Sequence, residues 1–185
     1  MMQANAQPSV SPLVPGSTPS TIEWHWKTFD ALTPHELHAV LAARCAVFIM
    51  EQQCIYADID GLDPAAWHLF GRDTSQAEQP LAAYARVFGP DAGDSAVRIG
   101  RVLTAPAYRK LGLGKILIDR AMLRVPDYWP QTPIRLHAQA HLQEFYGLFG
   151  FVPTSEIHLE DEIPHVWMQR ECVAVRPYVS IVRTA

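Results

Sequence analysis

The sequence predicts a mixed α/β (α+β) fold, a mostly antiparallel sheet flanked by helices. Three observations predict it. Residues 22–27 alternate apolar and polar side chains as a half-buried strand does. Three further strand-like runs, 67–71, 81–88 and 97–104, follow one another through turn-rich links, the pattern of an antiparallel meander. Between and after them lie two longer stretches with helical spacing.

Residues 1–20 are rich in Pro, Ser, Gln and Ala without apolar periodicity, so they are expected to be a disordered leader outside the fold. The first strand leads to Thr33-Pro34-His35-Glu36, which reads as N-cap, Pro at the first helical position and the Glu of a capping box. Leu37, Val40, Leu41, Arg44 and Phe48 then recur at helical intervals, and this helix is expected to end near Met50. Residues 51–66 carry Gly, Pro and Asp with no steady period, an irregular loop long enough to form part of an acceptor site. In the last strand of the meander, Gly100 is expected to mark a bulge.

Beyond Pro106, Leu113, Ile116, Leu117, Arg120 and Leu123 predict a helix over 112–125. A short strand over 134–138 and a short helix over 142–149, closed by Gly150, come next. Strands over 155–159 and 165–170 complete a domain spanning 21–171, leaving 172–185 as a tail or edge segment.

Composition narrows the function classes. A net charge of −4 supplies no basic field for a polyanion, so no nucleic-acid partner is expected. Three cysteines without CxxC spacing, Cys45, Cys54 and Cys172, argue against a disulfide framework or zinc knuckle and for a reducing, cytoplasmic setting. No apolar run approaches the roughly 20 residues of a membrane span. His137 and His141 are four apart, but the strand-to-helix break between them spoils the one-face geometry of a metal pair, and no metal is expected. Trp24, Trp26 and Phe29 read as packing residues.

The most informative segment is the strand Ile99-Gly100-Arg101-Val102-Leu103-Thr104 followed by Arg109-Lys110-Leu111-Gly112-Leu113-Gly114-Lys115 at the mouth of a helix. Glycines let the backbone approach a bulky anion, and the free N–H groups and positive end of the helix face it, which makes a pyrophosphate cradle. A Walker loop fails because Ile116, not Ser or Thr, follows Gly114-Lys115. A Rossmann fingerprint fails because Leu117 stands where the third glycine belongs.

A second segment, Ala138-Gln139-Ala140-His141-Leu142-Gln143-Glu144-Phe145-Tyr146-Gly147-Leu148-Phe149-Gly150-Phe151, carries a strand into a helix that bears a tyrosine and ends in Gly-Phe. In this order and spacing the two segments resemble the GNAT superfamily of N-acetyltransferases. The stretch from Arg44 to Tyr56, then Asp60-Gly61-Leu62-Asp63, His68, Ala83-Tyr84-Ala85-Arg86-Val87 and Ile163-Pro164-His165, narrows the resemblance to its ElaA-type branch, over residues 22–170.

The resemblance implies a splay between the two central strands and acetyl-CoA as acetyl donor. Main-chain groups of Val102, Leu103 and Thr104 would pair with the pantetheine arm as an added strand. The turn from Arg109 and Lys110 through Leu111, Gly112, Leu113, Gly114 and Lys115 would hold the pyrophosphate, and a β-strand N–H would stabilise the oxyanion. Tyr146 is the candidate proton donor to the departing thiolate, or else a packing residue. Glu51 and His68 are candidates to take the acceptor's proton, each with a structural alternative, and His141 is a third. Gln139 flanks the expected splay as a contact to cofactor or acceptor. The acceptor is a small-molecule or peptide primary amine whose identity the sequence leaves open, as it does a homodimer. The rival reading is a CoA-binding sensor that keeps the fold and transfers nothing.

Overall fold

The computed structural model describes residues 21–172, so the expectations for the leader and for the segment after 172 lie outside the described residues. Thr33 caps the first helix as its sequence requires. Its hydroxyl accepts from the Glu36 amide at 3.2 Å, and the Glu36 carboxylate accepts from the Thr33 amide at 2.9 Å. Glu36 is also paired with Lys27 Nζ at 2.8 Å, which fastens the helix start to the first strand.

The strands are β1 (Ile22–Thr28), β2 (Trp67–Asp73), β3 (Leu81–Phe88), β4 (Val97–Thr104), β5 (Ile134–Gln139), β6 (Val152–Pro153), β7 (His158–Glu160) and β8 (Ile163–Arg170). The helices are α1 (Pro34–Arg44), α2 (Leu113–Tyr128) and α3 (Gln143–Gly147). The described residues group into two compact units, 21–88 with 99–123 and 89–98 with 124–172. The fold is a mixed α/β one with an open, mostly antiparallel sheet of eight strands flanked by helices.

In the first unit β1, β2, β3 and the body of β4 are neighbours in that order. β1 runs antiparallel to β2 with Trp24 opposite Gly71, and β2 antiparallel to β3 with His68 opposite Arg86. β3 is buried along almost its whole length, which is why its sequence is a near-continuous apolar run. Its core joins Val40, Val47, Phe48, Phe70, Leu81, Tyr84 and Leu103. Trp26 stacks on Trp67, and Arg120 lies over the Trp24 ring, so these tryptophans pack as expected.

In the second unit the opening of β4 begins with the Val97 amide donating to the Pro133 carbonyl at 2.9 Å. β8 lies between β5 and β6, antiparallel to both, and β7 pairs with its start. Ile134, Leu136 and Ala138 of β5 and Val166 and Met168 of β8 are buried. The alternate residues, His137, Gln139, His165 and Trp167 among them, stand on the opposite, accessible face.

The structure differs from the sequence reading in several places, among them the strand expected over 155–159, which is β7 at His158–Glu160 after the two residues of β6. The first helix reaches Glu51, but its last seven residues, Cys45–Glu51, are π-helical, a widened turn with no residue signature. The left-handed residue of β4 is Arg101, with φ of +51°, beside Gly100 rather than at it. α2 runs through Pro126 to Tyr128, since a proline late in a helix forfeits one hydrogen bond and the Trp129 amide still reaches the Val125 carbonyl at 2.9 Å. The segment expected as a helix over 142–149 is a 3₁₀ turn, Ala140–Leu142, followed by the five residues of α3.

Candidate functional site

The turn between β4 and α2 belongs to the first unit. Pro106–Tyr108 forms one 3₁₀ turn, after which Lys110 and Gly112 both take positive φ, +64° and +76°. Alternating backbone handedness of this kind points successive N–H groups into one concavity. A Cβ at Gly112 would meet no atom within 4 Å, so the space above it is open. The Lys115 amide already turns back to the Gly112 carbonyl at 3.0 Å. The amides just ahead of it are the helix-start donors that have no carbonyl one turn earlier to bond. A diphosphate fits this place by the chemistry of the donor set: main-chain N–H groups, the positive end of a 16-residue helix, and no side chain in the way.

Val102, Leu103 and Thr104 form the last part of β4, with Leu103 in the core and the other two half-buried. The Ala105 amide donates to the Ala82 carbonyl at 2.9 Å, which closes the β3 side of this strand end. Arg109 donates from Nε to the Thr104 carbonyl at 3.2 Å and grips both carboxylate oxygens of Glu51. Lys115 is exposed at the first turn of α2, as Lys110 is in the turn before it.

The loop over 51–66 is anchored by three arginines and three aspartates. Arg44, fully buried, donates from Nε to Asp58 Oδ2 at 2.8 Å, from Nη1 to Asp63 Oδ1 at 2.6 Å and from Nη2 to the Asp58 carbonyl. Arg86 of β3 holds both oxygens of Asp60 and also Asp63 Oδ1. Arg101, swung out by its left-handed backbone, donates to Asp58 Oδ1 at 2.6 Å and lies over the Tyr56 ring. Three positive and three negative charges cancel, so each buried ion has a partner. The Arg86 hydrogen bonds hold the Asp60 carboxyl well below the usual carboxylate range. The spacing of Arg44 with Val40 and Phe48 on one helical face was the signal available in the sequence: a cation on a core face demands buried acids.

His68 lies at the centre of this network and is fully buried. Nδ1 meets the Tyr84 hydroxyl at 2.9 Å, and Nε2 meets the Asp63 carbonyl at 3.1 Å. Because a carbonyl only accepts, Nε2 carries the proton and Nδ1 receives the Tyr84 O–H. Burial pushes the His68 imidazole down from its ordinary value. Both nitrogens of His68 are thus engaged within the fold. Glu51 is exposed, and its hydrogen bonds from Arg109 hold its carboxyl below its ordinary value, so it too is a weak proton acceptor.

Tyr146 and Gln139 belong to the second unit. Tyr146 is 5% exposed, edge-on to Phe145 and Phe151, and its hydroxyl makes no hydrogen bond among the described residues. Burial alone raises its phenol well above the ordinary value, which keeps it protonated. Gln139 ends β5, half-buried, opposite His165 of β8. His141 is exposed in the turn that follows.

On the accessible face beside them stands an imidazole cluster the sequence reading did not assemble. His137 Nδ1 meets Glu160 Oε2 at 2.7 Å, and its Nε2 meets His158 Nε2 at 2.9 Å. Trp167 stacks on the His137 ring at 4.3 Å, and the His165 ring lies 4.8 Å away. Among the described residues no group of three or more His, Cys, Asp or Glu is arranged to hold a metal ion, and no helix is long and apolar enough to cross a membrane.

Residues 64–172 match the family described as Acetyltransferase (GNAT) domain. The chain is 41% identical to protein ElaA of Escherichia coli K12 over 154 residues, covering 82% of this chain and 98% of that one. The crystal structure of E. coli ElaA superposes with a TM-score of 0.74 at 40% identity, over 81% of this chain and 99% of that chain. An acyl-CoA N-acyltransferase from Pseudomonas aeruginosa gives a TM-score of 0.75 at 42% identity, over 80% and 99%.

Proposed function

The chain belongs to the GNAT acetyltransferase family, and from that premise we propose that it moves an acetyl group from acetyl-CoA to a primary amine by direct attack in a ternary complex. Membership implies acyl transfer from an acyl-CoA; the acetyl donor and amine acceptor are the specific reading. One observation carries it: the turn before α2, where Gly112 at φ +76° leaves an open approach to the first amides of a long helix.

In this reading the amides of residues 111–114 receive the pyrophosphate, with the side chains of Lys110 and Lys115 adding positive charge. Arg109 works on the same turn by tying Thr104 to Glu51. Main-chain groups of Val102, Leu103 and Thr104 align the pantetheine arm, and Gln139 contacts the donor from the end of β5. A β4 amide stabilises the oxyanion that forms at the carbonyl. Tyr146, kept protonated by burial and without a competing partner among the described residues, gives its proton to the departing sulfur. Glu51 and His68 serve the scaffold: one holds Arg109, the other fixes the loop through Asp63 and Tyr84. The free cysteines support a reducing cytoplasm as the setting.

A catalytically silent CoA-binding sensor is the second reading, favoured by the engagement of both Glu51 and His68. Thiol release from acetyl-CoA across a panel of primary amines separates the two. Amine-dependent release with an acetylated product supports the transferase; CoA binding without release for every amine supports the sensor.

A further inference from the structure

His165 has the one feature that the other proton-acceptor candidates lack. Its Nδ1 lies 2.8 Å from the Ile163 carbonyl, which can only accept, so Nδ1 carries the proton. In the neutral ring the lone pair is then fixed on Nε2, for which no partner exists among the described residues. The ring is half-buried and stands on the accessible face of β8. The β5–β8 register sets His165 directly opposite Gln139, the residue at which β5 gives way to the turn and helix that bring Tyr146.

Its neighbours are accounted for. From β5, His137 has both nitrogens engaged, by Glu160 and His158 of β7. His158, opposite His165 in the β7–β8 register, donates its Nδ1–H to the Glu156 carbonyl at 3.2 Å. From β8 itself the adjoining group on this face is the neutral Trp167. Burial, more than any neighbour, pulls the His137 imidazole down from its ordinary value. The three surrounding titratable groups are thus occupied with one another, and in this cluster His165 offers a tautomer-fixed nitrogen with no partner among the described residues.

We propose that His165 Nε2 is the general base that deprotonates the acceptor amine. The inference rests on the transferase reading of the same site. The first proton passes from the ammonium to Nε2 and is then lost to water. The amine lone pair forms the C–N bond to the acyl carbon, and the C–S bond breaks with its electron pair on sulfur. The second N–H proton is returned to that sulfur through Tyr146, giving amide, thiol and one released proton.

The test uses the full chain and two variants. His165→Asn keeps an N–H donor for the Ile163 carbonyl but has no basic nitrogen; His165→Ala removes both. Both are expected to lower kcat/KM for an alkylamine by about 10²- to 10⁴-fold. The Kd for acetyl-CoA should stay within twofold of wild type. The deficit should shrink toward unity for aryl amines, which are already neutral at pH 7. A deficit equal for alkyl and aryl amines, or a His165→Asn enzyme as active as wild type, would overturn the assignment while leaving the transferase reading in place. A wild-type protein that binds acetyl-CoA and acetylates no amine would overturn both.

Discussion

Arg109 grips Glu51 with both ends of its guanidinium, Nη1 to Oε1 and Nη2 to Oε2, each at 2.8 Å. With the Nε bond to Thr104, this clasp joins the end of the π-helical segment to the end of β4. Both side chains are about two-fifths exposed, at 41% and 42%, so the pair contributes little to global stability. Glu51→Gln should therefore shift urea unfolding by less than about 1 kcal/mol. It should raise KM for the donor more than it lowers kcat, and leave the neutral part of the pH profile intact. A loss of turnover in this variant far larger than its effect on donor KM would make Glu51 the base.

Tyr146→Phe removes a hydroxyl that has no hydrogen-bond partner among the described residues, so the fold should tolerate it. Turnover should fall about 10²-fold or more, with the Kd for acetyl-CoA unchanged in a calorimetric titration. Equal turnover would reduce Tyr146 to a packing residue.

Gly112→Val places a branched side chain at φ +76°, in the open space proposed to admit the diphosphate. Strain of about 1–3 kcal/mol, together with lost approach, should weaken acetyl-CoA binding at least tenfold. Unchanged affinity would count against the turn.

Asp73 gives a pH-dependent prediction. Burial pushes its carboxyl up, but hydrogen bonds from the Ser75 hydroxyl and amide, the Gln76 amide group and the Tyr108 hydroxyl outweigh it and bring it from 3.8 to about 2. Because the folded value is depressed, the stabilisation is fully present above pH 3.8 and is lost as the pH falls toward about 2. Asp73→Asn should cost about 1–3 kcal/mol at pH 7, and the gap to wild type in urea unfolding should close across that acidic window. A gap constant with pH would mean that the ionised form carries none of it.

The fold was legible where local chemistry repeats. The Thr33–Glu36 capping box, the alternation in β1 and the buried run of β3 are each written into a few adjacent residues. What escaped depends on partners far along the chain or on backbone geometry alone. Arg44 could be placed on a core face, but its acids sit on an aperiodic loop at 58 and 63. The π-helical widening after Arg44 and the left-handed Arg101 leave no residue pattern. At the site, the glycine turn and Tyr146 were visible as motifs. The engagement of both His68 nitrogens was not, because Tyr84 and the Asp63 carbonyl meet it only after folding. The His165 tautomer was hidden for the same reason, being set by a main-chain carbonyl.

The central claim is that the first amides of α2 receive the donor's diphosphate. Its most direct test is a titration of ¹⁵N-labelled protein with acetyl-CoA, following the amide resonances of residues 111–114. Large, saturable shifts of these amides at the same midpoint as binding are predicted. Saturation of binding with those four resonances unmoved would contradict the account.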